Sequence, residues 1–213
     1  MAMSFRFTVR DEEILRMLSL YSRVVGQRQA SQHWYNGDDA NCRRRMKQLV
    51  SEGLLLSASV RARPVPVLNA PLIRWQPGDA NPSFAKVAYQ CQKRWRMRHL
   101  QNCTVYSATT RTSQLFGGRA RGDVRKEMQV THDLGVTQIW LYLDTHKPDW
   151  ADAWKGEDVM AHTRRGEKLP DGFIVDGNQS VLCVMEFGGS YDEQRIREFH
   201  DDCVERSLPY QLW

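Results

Sequence analysis

Apolar residues recur at helical spacing three times in the first fifty positions. Ile14, Leu15, Leu18 and Tyr21 share one face behind Thr8, and Asp11 three residues on completes a capping-box pattern. Ala30 and Trp34 face inward in a second, shorter stretch over 28–35, which the Asn36-Gly37 turn signal closes. Cys42, Met46 and Leu49 with Val50 repeat behind Asp38 or Asp39, either of which can cap a helix start. Gly53 stands where a left-handed residue ends such a helix. The pattern then turns extended through 54–60, breaks at Arg63-Pro64-Val65-Pro66, and returns over 67–75. That predicts a two-stranded ribbon with Arg61 and Arg63 near its tip.

Three helices with a tight turn before the third, then a hairpin, is the order of a winged helix-turn-helix. The polar stretch 76–83, with two prolines and a glycine, reads as a boundary, so residues 1–78 form the first expected domain and 79–213 the second. In the second, Phe84, Ala88, Cys91 and Trp95 line a helix otherwise covered by Lys86, Lys93, Arg94, Arg96 and Arg98. A strand is expected over 103–108, a loop over 117–122, a helix over 123–134 and a strong strand over 137–143. Pro148 opens a short helix containing Trp150 and Trp154. Residues 172–175 and 181–187 read as a hairpin around Asp176-Gly177. Ser190 to Glu193 fits a second capping box, and the helix behind it puts Ile196, Phe199, His200 and Cys203 on one side. A final strand is expected over 208–213. The whole reads as an α+β protein: a winged helix-turn-helix followed by a small mixed-sheet α/β domain.

Charge sharpens the first half. The 213 residues carry a formal net charge of +5, and Arg and Lys crowd residues 1–130 while acids gather after Asp144. An uneven basic surface favours a polyanionic partner. Arg43, Arg44, Arg45 and Lys47 lie between the apolar positions of the third helix. Asn41, Arg43, Arg44 and Lys47 are the candidates for groove and phosphate contacts with double-stranded DNA, and Arg61 and Arg63 for contacts from the wing. Five cysteines show no disulfide spacing, no signal-peptide pattern opens the chain, and no spanning apolar run occurs, so a reduced cytoplasmic setting is expected.

The second half carries candidate chemistry. Pro170-Asp171 precedes the first hairpin strand and Glu186 lies near the end of the second. Two such acids can converge on one Mg²⁺ or Mn²⁺ and activate a water against a phosphodiester, with Glu157 as a third carboxylate. This arrangement resembles the PD-(D/E)xK nuclease core, in which Pro-Asp and a hairpin are followed by an acid, any residue and lysine. Pro170-Asp171 and Glu186-Phe187-Gly188 match all but the last, since the lysine position is Gly188. Lysine stabilises the developing charge and glycine cannot. Cys91, His99 and Cys103, or His200 and Cys203, lack the paired spacing of structural zinc. His132-Asp133 has no neighbouring nucleophile and reads as a helix-end histidine.

The winged helix together with residues 130–134 (VTHDL), Leu169-Pro170-Asp171 and the hairpin ending in Glu186 resembles the replication-relaxation family of plasmid and mobile-element proteins. The resemblance covers most of the chain. It implies a DNA-binding N-terminal winged helix and a degenerate nuclease-like C-terminal domain, serving plasmid replication, transfer or regulation. The leading expectation is therefore a DNA-binding protein with no cofactor, its second domain an interaction or dimerisation platform. The alternatives are a metal-dependent endonuclease using Asp171, Glu186 and Glu157, and a protein-interaction module.

Overall fold

The computed structural model describes residues 6–118, 127–160 and 169–213. In chain order the elements are α1 (Val9–Leu20), β1 (Val25–Gly26), α2 (Gln27–Trp34), α3 (Asp39–Ser51), β2 (Leu55–Ala62), β3 (Ile73–Trp75) and α4 (Phe84–Arg96). There follow β4 (Gln101–Ala108), α5 (Thr110–Leu115), α6 (Glu127–His146), α7 (Pro148–Asp152), β5 (Trp154–Gly156) and α8 (Glu157–Met160). The chain closes with β6 (Gly172–Val175), β7 (Val181–Glu186), α9 (Glu193–Glu205) and β8 (Tyr210–Leu212). Two sheets and flanking helices make an α+β fold. Among the described residues no helix is long and apolar enough to cross a membrane.

The first compact unit joins residues 6–60 to residues 102–118. Thr8 and Asp11 close the capping box of α1 as the sequence predicts, Asp11 Oδ2 accepting from the Thr8 amide at 2.8 Å. Asp38 caps α3 by accepting from the Asn41 amide at 2.9 Å. Gly53, at φ +67°, takes the left-handed conformation that a Cβ would strain. Ile14, Leu15, Leu18, Ala30, Cys42, Met46 and Leu49 form the core behind the three helices. The sheet runs β1-β4-β2, with β1 antiparallel to β4 and Val25 opposite Tyr106. The Tyr106 hydroxyl donates to Gln27 Oε1 at 2.7 Å, and Thr112 Oγ1 donates to the Leu54 carbonyl at 2.6 Å, fixing the end of the sheet.

The second unit joins residues 61–101 to the described residues from 127 onward. Its sheet runs β3-β8-β7-β6-β5. β5, β6 and β7 form an antiparallel meander, while β7 and β8 are parallel. A parallel pair needs a crossover, and α9 supplies it. Ile73, Trp75, Phe84, Val87, Cys91, Phe173, Val184, Ile196, Phe199 and Tyr210 pack into one apolar core, which joins α4 and α9 to the sheet.

Four expectations change. The ribbon predicted over 54–75 does not form: β2 has β4 as its neighbour, and residues 73–75 instead pair with β8 of the second unit. The division accordingly falls not at residue 78 but at 60 and again near 101, and the strand expected over 103–108 completes the first sheet, not the second. The strand predicted over 137–143 is helix. A continuous apolar run has no period of its own, and here it extends a helix without a break. Ile139, Trp140, Leu141 and Leu143 are buried within α6, and Thr137 Oγ1 bonds back to the Asp133 carbonyl at 2.8 Å. Gly135 does not end that helix, because the Phe187 ring occupies the space its side chain would need. Finally, Asp192 and not Ser190 caps α9, accepting from the Arg195 amide at 2.8 Å, and Trp154 lies on β5 beyond the short helix. The loop expected over 119–122 and the first positions of the helix expected from 123 lie outside the described residues.

Candidate functional site

The α3 helix separates its faces cleanly. Cys42, Met46 and Leu49 are fully buried, whereas Arg43, Arg44 and Lys47 are exposed. Arg45 differs from its neighbours. It turns toward Asp11, a carboxylate with no exposed surface, donating from Nε at 2.9 Å and from Nη2 to the other oxygen. Arg45 Nη1 also reaches Gln48 Oε1 at 2.6 Å. Burial works against ionisation of Asp11, but the Arg45 hydrogen bond and the Thr8 donors hold its carboxyl below the usual range. Arg45 is thus a structural cation that ties α3 to α1. Arg44 stays on the surface and donates to Asn41 Oδ1 at 2.9 Å.

The six residues assigned to DNA therefore divide. Asn41, Arg43, Arg44 and Lys47 lie on one helix of the first unit. Arg61 is exposed at the end of β2, and the Arg63 amide donates to Thr131 Oγ1 of α6 at 3.0 Å, so both belong to the second unit. Neither stands at the tip of a ribbon made with residues 67–75, because that ribbon is absent.

The second unit brings Asp171 and Glu186 together across the β6-β7 pair. Each carboxylate binds the backbone amide beside the other: Asp171 Oδ2 accepts from the Phe187 amide at 2.7 Å, and Glu186 Oε2 from the Asp171 amide at 3.3 Å. The remaining oxygens are also engaged. Glu186 Oε1 accepts from the Tyr191 hydroxyl at 2.6 Å, and Asp171 Oδ1 lies 3.2 Å from His132 Nε2. Glu157 is exposed at the start of α8; its amide donates to the Asp171 carbonyl at 3.3 Å.

Electrostatics follow this geometry. Glu186 is 5% exposed, and burial, then the nearby Asp171 carboxylate, push its carboxyl above the usual range. Burial alone would lower the His132 imidazole. Asp133 and Asp171 overcome it and push it up to about 10, with Glu186 adding to the effect. Burial and then Glu186 raise the Tyr191 phenol as well. The imidazolium thus places a positive charge beside the two acids. At Gly188, the position of the missing lysine, a Cβ would lie 2.9 Å from Cys91 Sγ, 3.1 Å from Leu212 Cδ2 and 3.2 Å from the Trp213 carbonyl, so a side chain there requires Cys91 to shift.

Each oxygen of the two carboxylates faces one protein donor. Mg²⁺ takes carboxylate oxygens and waters as ligands, and a carboxylate oxygen that accepts one hydrogen bond keeps a second lone pair. Among the described residues no group of three or more histidine, cysteine or acidic side chains is arranged to hold a metal. Of the zinc candidates, Cys91 and Cys203 are buried in the core, and His200 Nδ1 lies 2.9 Å from the Tyr210 hydroxyl.

Sequence reasoning found the two acids and missed His132 and Tyr191 as their partners. His132 lies inside α6, not at a helix end. Reading 127–146 as one helix exposes the signal, because His132 and Gly135 then share a face at i, i+3. That face meets Phe187: the His132 ring packs edge-on to it at 5.9 Å, and Gly135 makes room for it. Tyr191 carries no signal of its own. Compared with known proteins, the chain matches no family model, no curated protein and no solved structure.

Proposed function

We propose that this chain is a double-stranded DNA-binding protein whose α3 flank supplies the phosphate and groove contacts. One observation carries the reading: α3 buries its apolar side completely and leaves Arg43, Arg44 and Lys47 exposed, while the one arginine needed for packing is withdrawn into a pair with Asp11. Exposed cations on a fixed helix are what a phosphate backbone recruits, displacing condensed counterions. The helix order α1, α2, α3 followed by β2 and β4 supports a winged-helix presentation of that flank. The replication-relaxation resemblance sets the reading in plasmid or mobile-element replication, transfer or regulation within the cytoplasm.

The second unit is read as a nuclease-like fold without nuclease chemistry, serving other proteins or a second copy of the chain. The oxygens of its acids face protein donors, and a side chain at position 188 would press on Cys91 and Leu212. Purified protein incubated with supercoiled plasmid in Mg²⁺, Mn²⁺ or chelator tests both halves. Retarded, uncut plasmid in every lane is expected, with retardation fading steeply as salt rises. Metal-dependent nicking that Asp171→Ala abolishes would overturn the non-enzymatic reading. Replacing Arg44 and Lys47 by alanine should lower the salt slope by about one per lost phosphate contact. Unchanged affinity at low salt would remove α3 from the interface.

A further inference from the structure

Between the start of α1, the end of α2 and the flank of α3 lies a cleft of about 370 Å³. Its walls include Arg10, Tyr35, Asn41, Arg44, Arg45 and Gln48. Three cations converge there, and only one is neutralised. Arg45 is held by Asp11. Arg10 lies over the Tyr35 ring at 4.4 Å from its centroid, and Arg44 is bonded to the neutral Asn41. Neither has a carboxylate in ion-pair range among the described residues. The cleft therefore holds two uncompensated positive charges on walls that are already fixed. Tyr35 is 5% exposed, and its buried hydroxyl makes no well-formed hydrogen bond. Asn41 and Gln48 add side-chain amides that can donate.

We propose that this cleft seats the phosphate of a phosphate ester. Guanidinium groups match phosphate in shape as well as charge, presenting forked N–H donors to its oxygens. A single inorganic anion would leave much of the cleft empty, so the site has room for the group esterified to it. That ester is either a backbone phosphodiester of the DNA proposed above, in which case the inference rests on that reading, or a free phosphomonoester. The carrier differs; the recognition chemistry is shared.

Inorganic phosphate is the probe, titrated against the full chain at ionic strength matched with chloride, with the melting temperature read out. Wild type should gain stability saturably. Arg10→Gln and Arg44→Gln should each weaken apparent phosphate affinity by about tenfold, the loss of one charge-assisted contact. Arg16→Gln removes an exposed charge from α1 outside the cleft and should leave the titration unchanged. A short duplex of random sequence then identifies the source. Competition between duplex and phosphate, lost in Arg10→Gln, assigns a backbone phosphate. Duplex binding without competition assigns a free phosphomonoester. Phosphate binding with no duplex binding at all keeps the cleft and ends the DNA reading. A response equal in all four proteins, or absent from wild type, overturns the site.

Discussion

Arg44 and Arg45 are adjacent on one helix, and the two regions of this protein differ as those residues do. In the second unit both acids of the β6-β7 pair are engaged by partners within the chain. Asp171 and Glu186 exchange backbone amides, His132 supplies the cation and Tyr191 the remaining donor. On the flank of α3, Arg43, Arg44 and Lys47 face outward, and only Arg45 is enclosed. A charge whose partners all lie within the chain has nothing left to offer a ligand. One that the fold does not use remains available. What separates a binding face from a structural polar cluster here is saturation, not the kind of residue present.

The enclosed charges should prove costly to disturb. Arg45→Ala leaves Asp11 buried without its guanidinium and should cost about 3 kcal/mol in denaturant unfolding. A loss close to zero would place Arg45 with its exposed neighbours and erase the distinction. Gly188→Ala tests whether the nuclease-like site is closed by packing. Its new methyl must displace Cys91 or Leu212, an overpacking cost of about 1–3 kcal/mol. A neutral outcome would show room for a longer side chain. His132 gives a subtler signature. Its folded pKa is raised, so its ion pair contributes fully below about 6.5, the ordinary histidine value, and the contribution fades as pH rises through about 10. Wild type and His132→Gln should therefore converge in stability with rising pH. With the imidazole 36% exposed, solvent screening keeps this effect modest. Parallel pH profiles would mean the imidazole is neutral in the fold. The smallest stability change belongs to the open face: Arg43→Ala and Lys47→Ala should each shift unfolding by less than about 0.5 kcal/mol. A larger loss would reveal a structural use for those cations.

Local patterns were legible in the sequence wherever the physics was local. The Thr8 and Asp38 caps, the left-handed Gly53, the apolar face of α3 and the hairpin carrying Asp171 and Glu186 depend on neighbours a few residues apart. What escaped depends on partners far along the chain. Residues 67–75 read as a return strand because they follow β2, yet only 73–75 form one, and their partner is β8, more than a hundred residues on. The run 137–143 is apolar without a period, and only burial by distant elements decides for helix. At the site, the acids were visible as a spaced pair. Their partner His132 became meaningful only once α6 was seen to bring it to Asp171, 39 positions away.

The β1-β4-β2 order also constrains how the molecule is made. The central strand of the first sheet lies beyond residues 61–101, all of which belong to the other unit. A nascent chain released through β2 holds both outer strands of that sheet with nothing between them. It must wait for residue 108 to emerge before the sheet can close, and β3 must wait longer still, for the extreme C-terminus. A fragment ending at 78 would be arrested permanently in that state, with two exposed strand edges inviting association. Vectorial synthesis thus completes the first unit before the second, and because the two alternate along the chain neither can be separated from the other by a single cut.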